Sequence, residues 1–336
     1  LEQIFIESKA RSGGTSIVAH LIKLEDYISR YEVDIHRYPS QFTRLKKERW
    51  YYVKSEWERV NQTYRIPNII EDLSQTSLGD SEGRGFFSEA VKRLKALPFL
   101  KRNEVIDSEH VDEDKVIKFK AKTIEELKKM FYDDLFESQI RWASSSLLEH
   151  SRVNPKYRYD KWLKFFLQQL PDNYLVLYYP IFYIKQAPID MEIIIISPTD
   201  VYCITMVEAN EHSVFEASTE RFWLEFVDKN HKRILSPLIG LNRMAGIIKG
   251  IYEEAEAKLP IKRIVLCPYS IIDNKAQGVQ AEFIDKRTFE SWTDKLKKHP
   301  SPIKSVQLKV AKALLASCQT RAYKRQDIEL GEDHEF

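Results

Sequence analysis

The sequence predicts an α/β protein, in which a mixed sheet flanked by helices occupies residues 151–325 and a mainly helical region occupies residues 1–150. Three observations carry this expectation. Apolar residues recur at spacings of three and four through much of the first half, and short β-branched runs crowd the segment from Tyr174 to Val227. Beyond it, helical and extended patterns alternate, and residues 326–336 read as an acidic tail.

Composition narrows the function classes. The 336 residues suffice for two domains or for one large core with an arm. Lys and Arg total 52 against 50 for Asp and Glu, so the net charge of +2 gives no global electrostatic signature. A nucleic-acid binder of this composition needs a local basic face. Cys203, Cys267 and Cys318 are far apart and form no Cys-x-x-Cys pair, which argues against a zinc site or a disulfide framework and fits a reducing cytoplasm. No apolar run approaches the roughly 20 residues of a membrane span. Neither G-x-x-x-x-G-K-[ST] nor G-x-G-x-x-G occurs, which argues against ATP-driven or dinucleotide chemistry.

In chain order, Leu21, Leu24, Ile28 and Tyr31 predict a helix, and Phe42, Leu45, Trp50, Val53 and Trp57 predict a second one after Pro39. The second carries Arg44, Lys46, Lys47, Arg49, Lys54 and Arg59 interleaved with Tyr51, Tyr52 and Trp57. Basic residues mixed with aromatics suit phosphate contact and base stacking, while a solvated helix face is the plainer reading of the same pattern. A loop is expected over 73–85, a helix over 88–97 and an exposed connection over 103–115. Thr123 and Glu126 form a capping box that opens helix over 123–148, and Asn154-Pro155 ends the helical half. A helix over 160–170 then leads into extended segments at 174–179 and 181–185, with a further extended stretch over 214–217 or one that includes 222–227. Ser236-Pro237 begins a helix to Ala255, strands follow at 263–267 and 281–284, and helices over 288–296 and 306–318 close the chain.

Within this order, Ile189–Asn210 reads as a hairpin, with MEIIIIS and VYCITMV as strands around a Pro-Thr-Asp turn. Antiparallel pairing brings the start of one strand beside the end of the next, so Asp190 and Glu208 are expected to meet. Two adjacent carboxylates are costly unless a cation neutralises them, and a hard divalent ion is the usual one. Glu192, two residues past Asp190, shares its face and offers a further ligand. His110, His212 and His231 have no partners at metal-ligand spacing and read as surface residues.

Several positions together resemble the nuclease-related domain (NERD) family of the PD-(D/E)xK nuclease superfamily. They are the helix-starting Asp160 with the run LKFFLQQLPDNYLVLY, Ile189-Asp190 before EIIII, Val207-Glu208-Ala209-Asn210, Ser236-Pro237 with its helix, and RIVLCP. The resemblance covers about residues 155–320. It implies a restriction-endonuclease-like sheet and a hydrolase that cleaves phosphodiester bonds of DNA or RNA with Mg²⁺ or Mn²⁺. It further implies that Asp190, Glu208 and the carbonyl of Ala209 hold the metal and that Asp160 helps to position it. The chain departs from the family where Asn210 stands in place of the motif lysine, Asp160 in place of Glu and Met191 in place of His. Lys185, five residues before Asp190, is the candidate replacement cation. The alternative is a catalytically degenerate nuclease-fold module for nucleic-acid binding or protein assembly, with the N-terminal helices as a partner-docking or homo-oligomer surface.

Overall fold

The computed structural model describes residues 18–74, 123–209, 212–228, 230–274, 279–298 and 301–325. The first element is a strand, β1 (His20–Leu24), buried at all five positions. The helix expected from Leu21 is therefore corrected. A strand covered on both faces shows no alternation, so the three-residue spacing of Leu21 and Leu24 mimics a helical stripe. A one-turn helix, α1 (Arg30–Val33), follows, with Ser29 accepting from the Tyr31 N–H. The long helix α2 (Tyr38–Ser74) then begins, with Pro39 in its first turn where a missing N–H is harmless.

The next helix, α3 (Ile124–Trp142), opens at Thr123, whose hydroxyl accepts from Glu126 N–H at 3.2 Å. It ends earlier than expected because the hydroxyls of Ser144 and Ser145 turn back to the Arg141 carbonyl. The short strand β2 (Glu149–His150) and a 3₁₀ turn at Pro155–Tyr159 lead to α4 (Lys161–Gln169). Strands β3 (Leu175–Tyr178), β4 (Ile181–Ile184), β5 (Ala187–Asp190), β6 (Ile193–Ile196) and β7 (Val201–Met206) come next. They are followed by β8 (Ser213–Ala217), β9 (Phe222–Val227) and β10 (Asn230–Leu235). The last of these escapes sequence reading because it is an exposed polar edge with no apolar alternation. Helix α5 (Pro237–Ala255), β11 (Ile261–Cys267), β12 (Ile271–Asn274), β13 (Glu282–Asp285), α6 (Phe289–Lys297), α7 (Ser305–Ala316) and β14 (Tyr323–Lys324) complete the order.

The main sheet has the order β1-β3-β6-β7-β11-β13, and β6 runs antiparallel to both of its neighbours while the other pairings are parallel. Alternate residues separate its faces. Val176, Tyr178, Ile193, Ile195, Ile204 and Leu266 join Leu163, Phe166 and Leu167 of α4 and Phe289 of α6 in one core cluster. Helix α5 covers β7 and β11 and packs against α7. Each fully buried Leu, Ile or Phe contributes about 1.5–3 kcal/mol, and this core fixes the strand ends that carry the site. A second sheet has the order β10-β9-β8-β12.

The chain forms two compact units, one of residues up to Arg44 together with Tyr132 onward, the other Leu45–Phe131. In the second, Val53 and Leu127 are buried against Trp50, Trp57, Ile124 and Met130. A boundary near residue 151 does not separate a helical region from the sheet, because β1 pairs directly with β3. The helix expected over 88–97, the connection over 103–115, the tail 326–336 and the loop beyond Ser74 lie outside the described residues. Among the described residues, no helix is long and apolar enough to cross a membrane.

Candidate functional site

Tyr179 stands where β3 ends, and three carboxylates act on it. Its hydroxyl pKa is pushed up to about 12, by burial first and then by the charges of Glu192, Asp160 and Glu208. The residue before a proline is normally extended, yet Tyr179 precedes Pro180 at φ 49°, in the left-handed region. Such strain persists only where the surroundings impose it. Here the Tyr179 N–H donates to the Glu192 carbonyl at 2.9 Å and Met191 N–H to the Pro180 carbonyl at 3.0 Å, so both chains are held as they leave the sheet.

Each acid reaches this end by a different local route. Asp160 is the N-cap of α4, accepting from Trp162 N–H at 2.9 Å and Leu163 N–H at 3.0 Å. It also accepts from the Tyr178 hydroxyl at 3.0 and 2.9 Å, so its oxygens are already well supplied with donors. Glu192 lies just before β6, and its Oε2 accepts from Met206 N–H at 3.2 Å. Its carboxyl is held above the usual range, by burial first, while the Met206 N–H, Thr205 and the Arg243 charge pull the other way. Glu208 is exposed two residues past β7.

Asp190 is placed differently from the sequence expectation. It ends β5, in a small hairpin whose pairing sets Asp190 opposite Ile181, and β6 begins only at Ile193. The ladder between β6 and β7 stops at Ile193–Ile204, and the Glu192 carboxylate takes up the Met206 N–H beyond it. Thus Glu192, rather than Asp190, is the half-buried acid that faces β7. Lys185 lies at the tip of the β4–β5 turn, where Lys185 and Gln186 both have positive φ, as a type I′ hairpin requires. The four paired positions between that tip and Asp190 span about 13 Å, farther than a lysine side chain reaches. Asn210 lies outside the described residues, and Ala209 is partly buried beside it.

Sequence reasoning missed Tyr179 and Arg243. Arg243 projects from the exposed side of α5, and its Nη2 donates to the Asp190 carbonyl at 3.4 Å. One turn earlier stands Gly240, where an added Cβ would lie 3.6 Å from Glu192 Oε1. Neither Tyr179 nor Arg243 stands in a motif or spacing of its own that would have signalled it. Among the described residues, no group of three or more His, Cys, Asp or Glu side chains is arranged to hold a metal ion.

The basic helix is less open than its sequence suggests. Lys46 is buried at 1% exposure, correcting its expected place on the solvent side. Lys54 pairs with Glu58 at 3.6 Å and Arg59 with Glu56 at 2.9 Å, while Trp57 packs against Val53 and Leu127. Tyr51 and Tyr52 remain exposed. Charge pairing within the helix and an aromatic committed to packing favour the plain solvated face over a stacking platform.

An RNA 2',3'-cyclic phosphodiesterase of Geobacillus stearothermophilus is 33% identical to this chain over 125 residues, 36% of the chain. The match spans 36% of that protein's length. No family model matches the chain, and no solved structure matches it.

Proposed function

We propose that this chain is a phosphodiesterase acting on DNA or RNA with a divalent cation, Mg²⁺ or Mn²⁺, at the Tyr179 end of the sheet. The observation that carries the reading is that the charges of Glu192, Asp160 and Glu208 all act on the Tyr179 hydroxyl, at the strand ends of a sheet in which β6 alone is antiparallel. That strand order, flanked by α4 and α5, supports a restriction-endonuclease-like arrangement and the NERD resemblance. The name of the Geobacillus relative supports the reaction class.

Oxygen donors alone suit a hard divalent ion, and Asp190, Glu208 and the Ala209 carbonyl would hold it. When bound, such an ion would supply polarisation of a phosphoryl oxygen and a more acidic water. The chain's own groups have defined parts. Glu192, whose carboxyl binds its proton more tightly than an ordinary glutamate, is the group placed to exchange a proton with water. Arg243 keeps a positive charge beside Asp190 and supplies the cation that Lys185 does not.

A second reading, a nuclease-fold module without catalysis, is favoured by Asp160, whose carboxylate is engaged by two N–H groups and the Tyr178 hydroxyl. One experiment separates them. RNA, DNA and RNA ending in a 2',3'-cyclic phosphate are incubated with Mn²⁺ or Mg²⁺ and the wild type, Asp190→Ala or Glu208→Ala chain. Cleavage that falls about 100-fold or more in both variants supports the enzyme. Equal cleavage by all three chains, or none by the wild type, leaves the module.

A further inference from the structure

A cavity of about 470 Å³ opens at the N-terminus of α5, on the side of that helix that carries Ile239 and Asn242 rather than Gly240 and Arg243. This volume lies within the range of small-ligand pockets. Arg221, Ser236, Leu238, Ile239, Arg263 and Glu220 are among the residues that line it.

Ser236 supplies the decisive detail. It is the N-cap residue of a 19-residue helix, yet its side chain makes no cap hydrogen bond. It is only 2% exposed, and its Oγ has no hydrogen-bond partner. The backbone around it is tied down, with Ser236 N–H on the Arg221 carbonyl at 2.9 Å and Ile239 N–H on the Ser236 carbonyl at 3.2 Å. An N-cap serine ordinarily accepts from its own helix, and a buried hydroxyl left without a partner is unfavourable. Ser236 is one of the residues that line the cavity, and its unpartnered hydroxyl lies buried at the positive end of the helix dipole, where anions are stabilised.

The charges agree. Arg263 donates to Asn242 Oδ1 at 2.8 Å and to Gln280 Oε1 at 2.9 Å, so neutral amides aim its guanidinium without cancelling its charge. Among the described residues, neither Arg263 nor Arg221 is ion-paired with a carboxylate, and Glu220 is the acid of the lining. Arg221 and Arg233 lie 5.7 and 5.9 Å from the ring centre of Phe222, which is 43% exposed. An exposed ring flanked by arginines is a surface on which a base can stack.

We propose that this cavity binds the phosphate of a nucleotide unit, held by the Ser236 hydroxyl, the first turn of α5, Arg221 and Arg263, with the base against Phe222. The choice of a nucleotide as ligand rests on the function proposed above, whereas the anion site does not. The source is either a free mononucleotide or a phosphate within an RNA chain.

Calorimetry in EDTA, which removes any metal-dependent cleavage, tests it with AMP, adenosine and an eight-nucleotide RNA. Wild type is expected to bind AMP or the RNA, and adenosine at least about ten-fold more weakly. Arg263→Gln and the solvent-exposed Arg221→Gln should each weaken the phosphate-bearing probe about ten-fold, and Ser236→Ala several-fold. A circular-dichroism melt unchanged in Arg221→Gln separates this loss from misfolding. Equal binding of AMP and RNA assigns the site to a mononucleotide, and binding of RNA alone assigns it to a chain phosphate. Asp190→Ala and Glu208→Ala should bind as wild type does, so a failed nuclease assay leaves this result standing. Adenosine binding as tightly as AMP, unchanged affinity in both arginine variants, or no binding of any probe would overturn the proposal.

Discussion

Asp285 and Glu192 are both acids at strand ends of the main sheet, and the fold treats them in opposite ways. Asp285 is 2% exposed and surrounded by donors: Ile272 N–H at 3.2 Å, Arg287 N–H at 2.9 Å, and Arg287 Nε and Nη2 at 2.9 and 2.5 Å. Burial pushes its carboxyl up, but these hydrogen bonds outweigh burial and hold it below the usual carboxylate range. Glu192 has a backbone donor in Met206 N–H, and its nearby arginine acts through charge alone, so burial wins and the carboxyl is raised. An acid saturated with donors braces a turn and has no capacity left. An acid short of donors retains capacity for a proton, a cation or a substrate group.

The contrast can be broken most forcefully at Asp285. Asp285→Ala strands the buried Ile272 N–H and releases Arg287, and should cost about 3 kcal/mol in urea unfolding. Its stabilising effect in the wild type should be present above pH 3.8 and lost as pH falls through the lower folded pKa. A loss near zero would show that the donors around it are ornamental to stability.

Glu192→Gln probes the other acid. Because the folded carboxyl is raised above 4.5, its contribution to stability is fully present below that pH and declines as pH rises through the folded value. Melting curves should therefore show the glutamine variant gaining on wild type as pH rises above 4.5, by about 1 kcal/mol. An identical pH profile for the two chains would remove Glu192 from the argument. Arg243→Ala should have the smallest effect, under about 1 kcal/mol for an exposed charge. It should nevertheless raise the Glu192 titration further, shifting the declining limb of the melting profile to higher pH, and a shift downward would contradict its role.

Much of the strand and helix inventory was legible because local periodicity encodes it. Helix α5 follows Ser236-Pro237 as expected, its buried stripe runs from Leu238 to Ile251, and Cys203 and Cys267 are buried free thiols. Partners were harder to read than elements. Lys23 is fully buried in β1 and paired with Glu32, a charge that no periodicity rule places in a core. Arg243 and Tyr179 carry no pattern of their own, since their importance comes from what other elements bring beside them.

The sequence by itself determined that the chain alternates helices with β-branched strands and that acids stand at the ends of Ile189–Asn210, because side-chain periodicity and turn chemistry are local properties. Only the tertiary structure decided which acid faces the sheet. The chain turns from β5 into β6 at Met191, so Asp190 leaves on the small hairpin while Glu192 takes the Met206 N–H. A single change of direction between two strands moved the half-buried carboxylate by two residues, and no local rule specifies where a ladder stops when a side chain can accept the last hydrogen bond in place of the backbone.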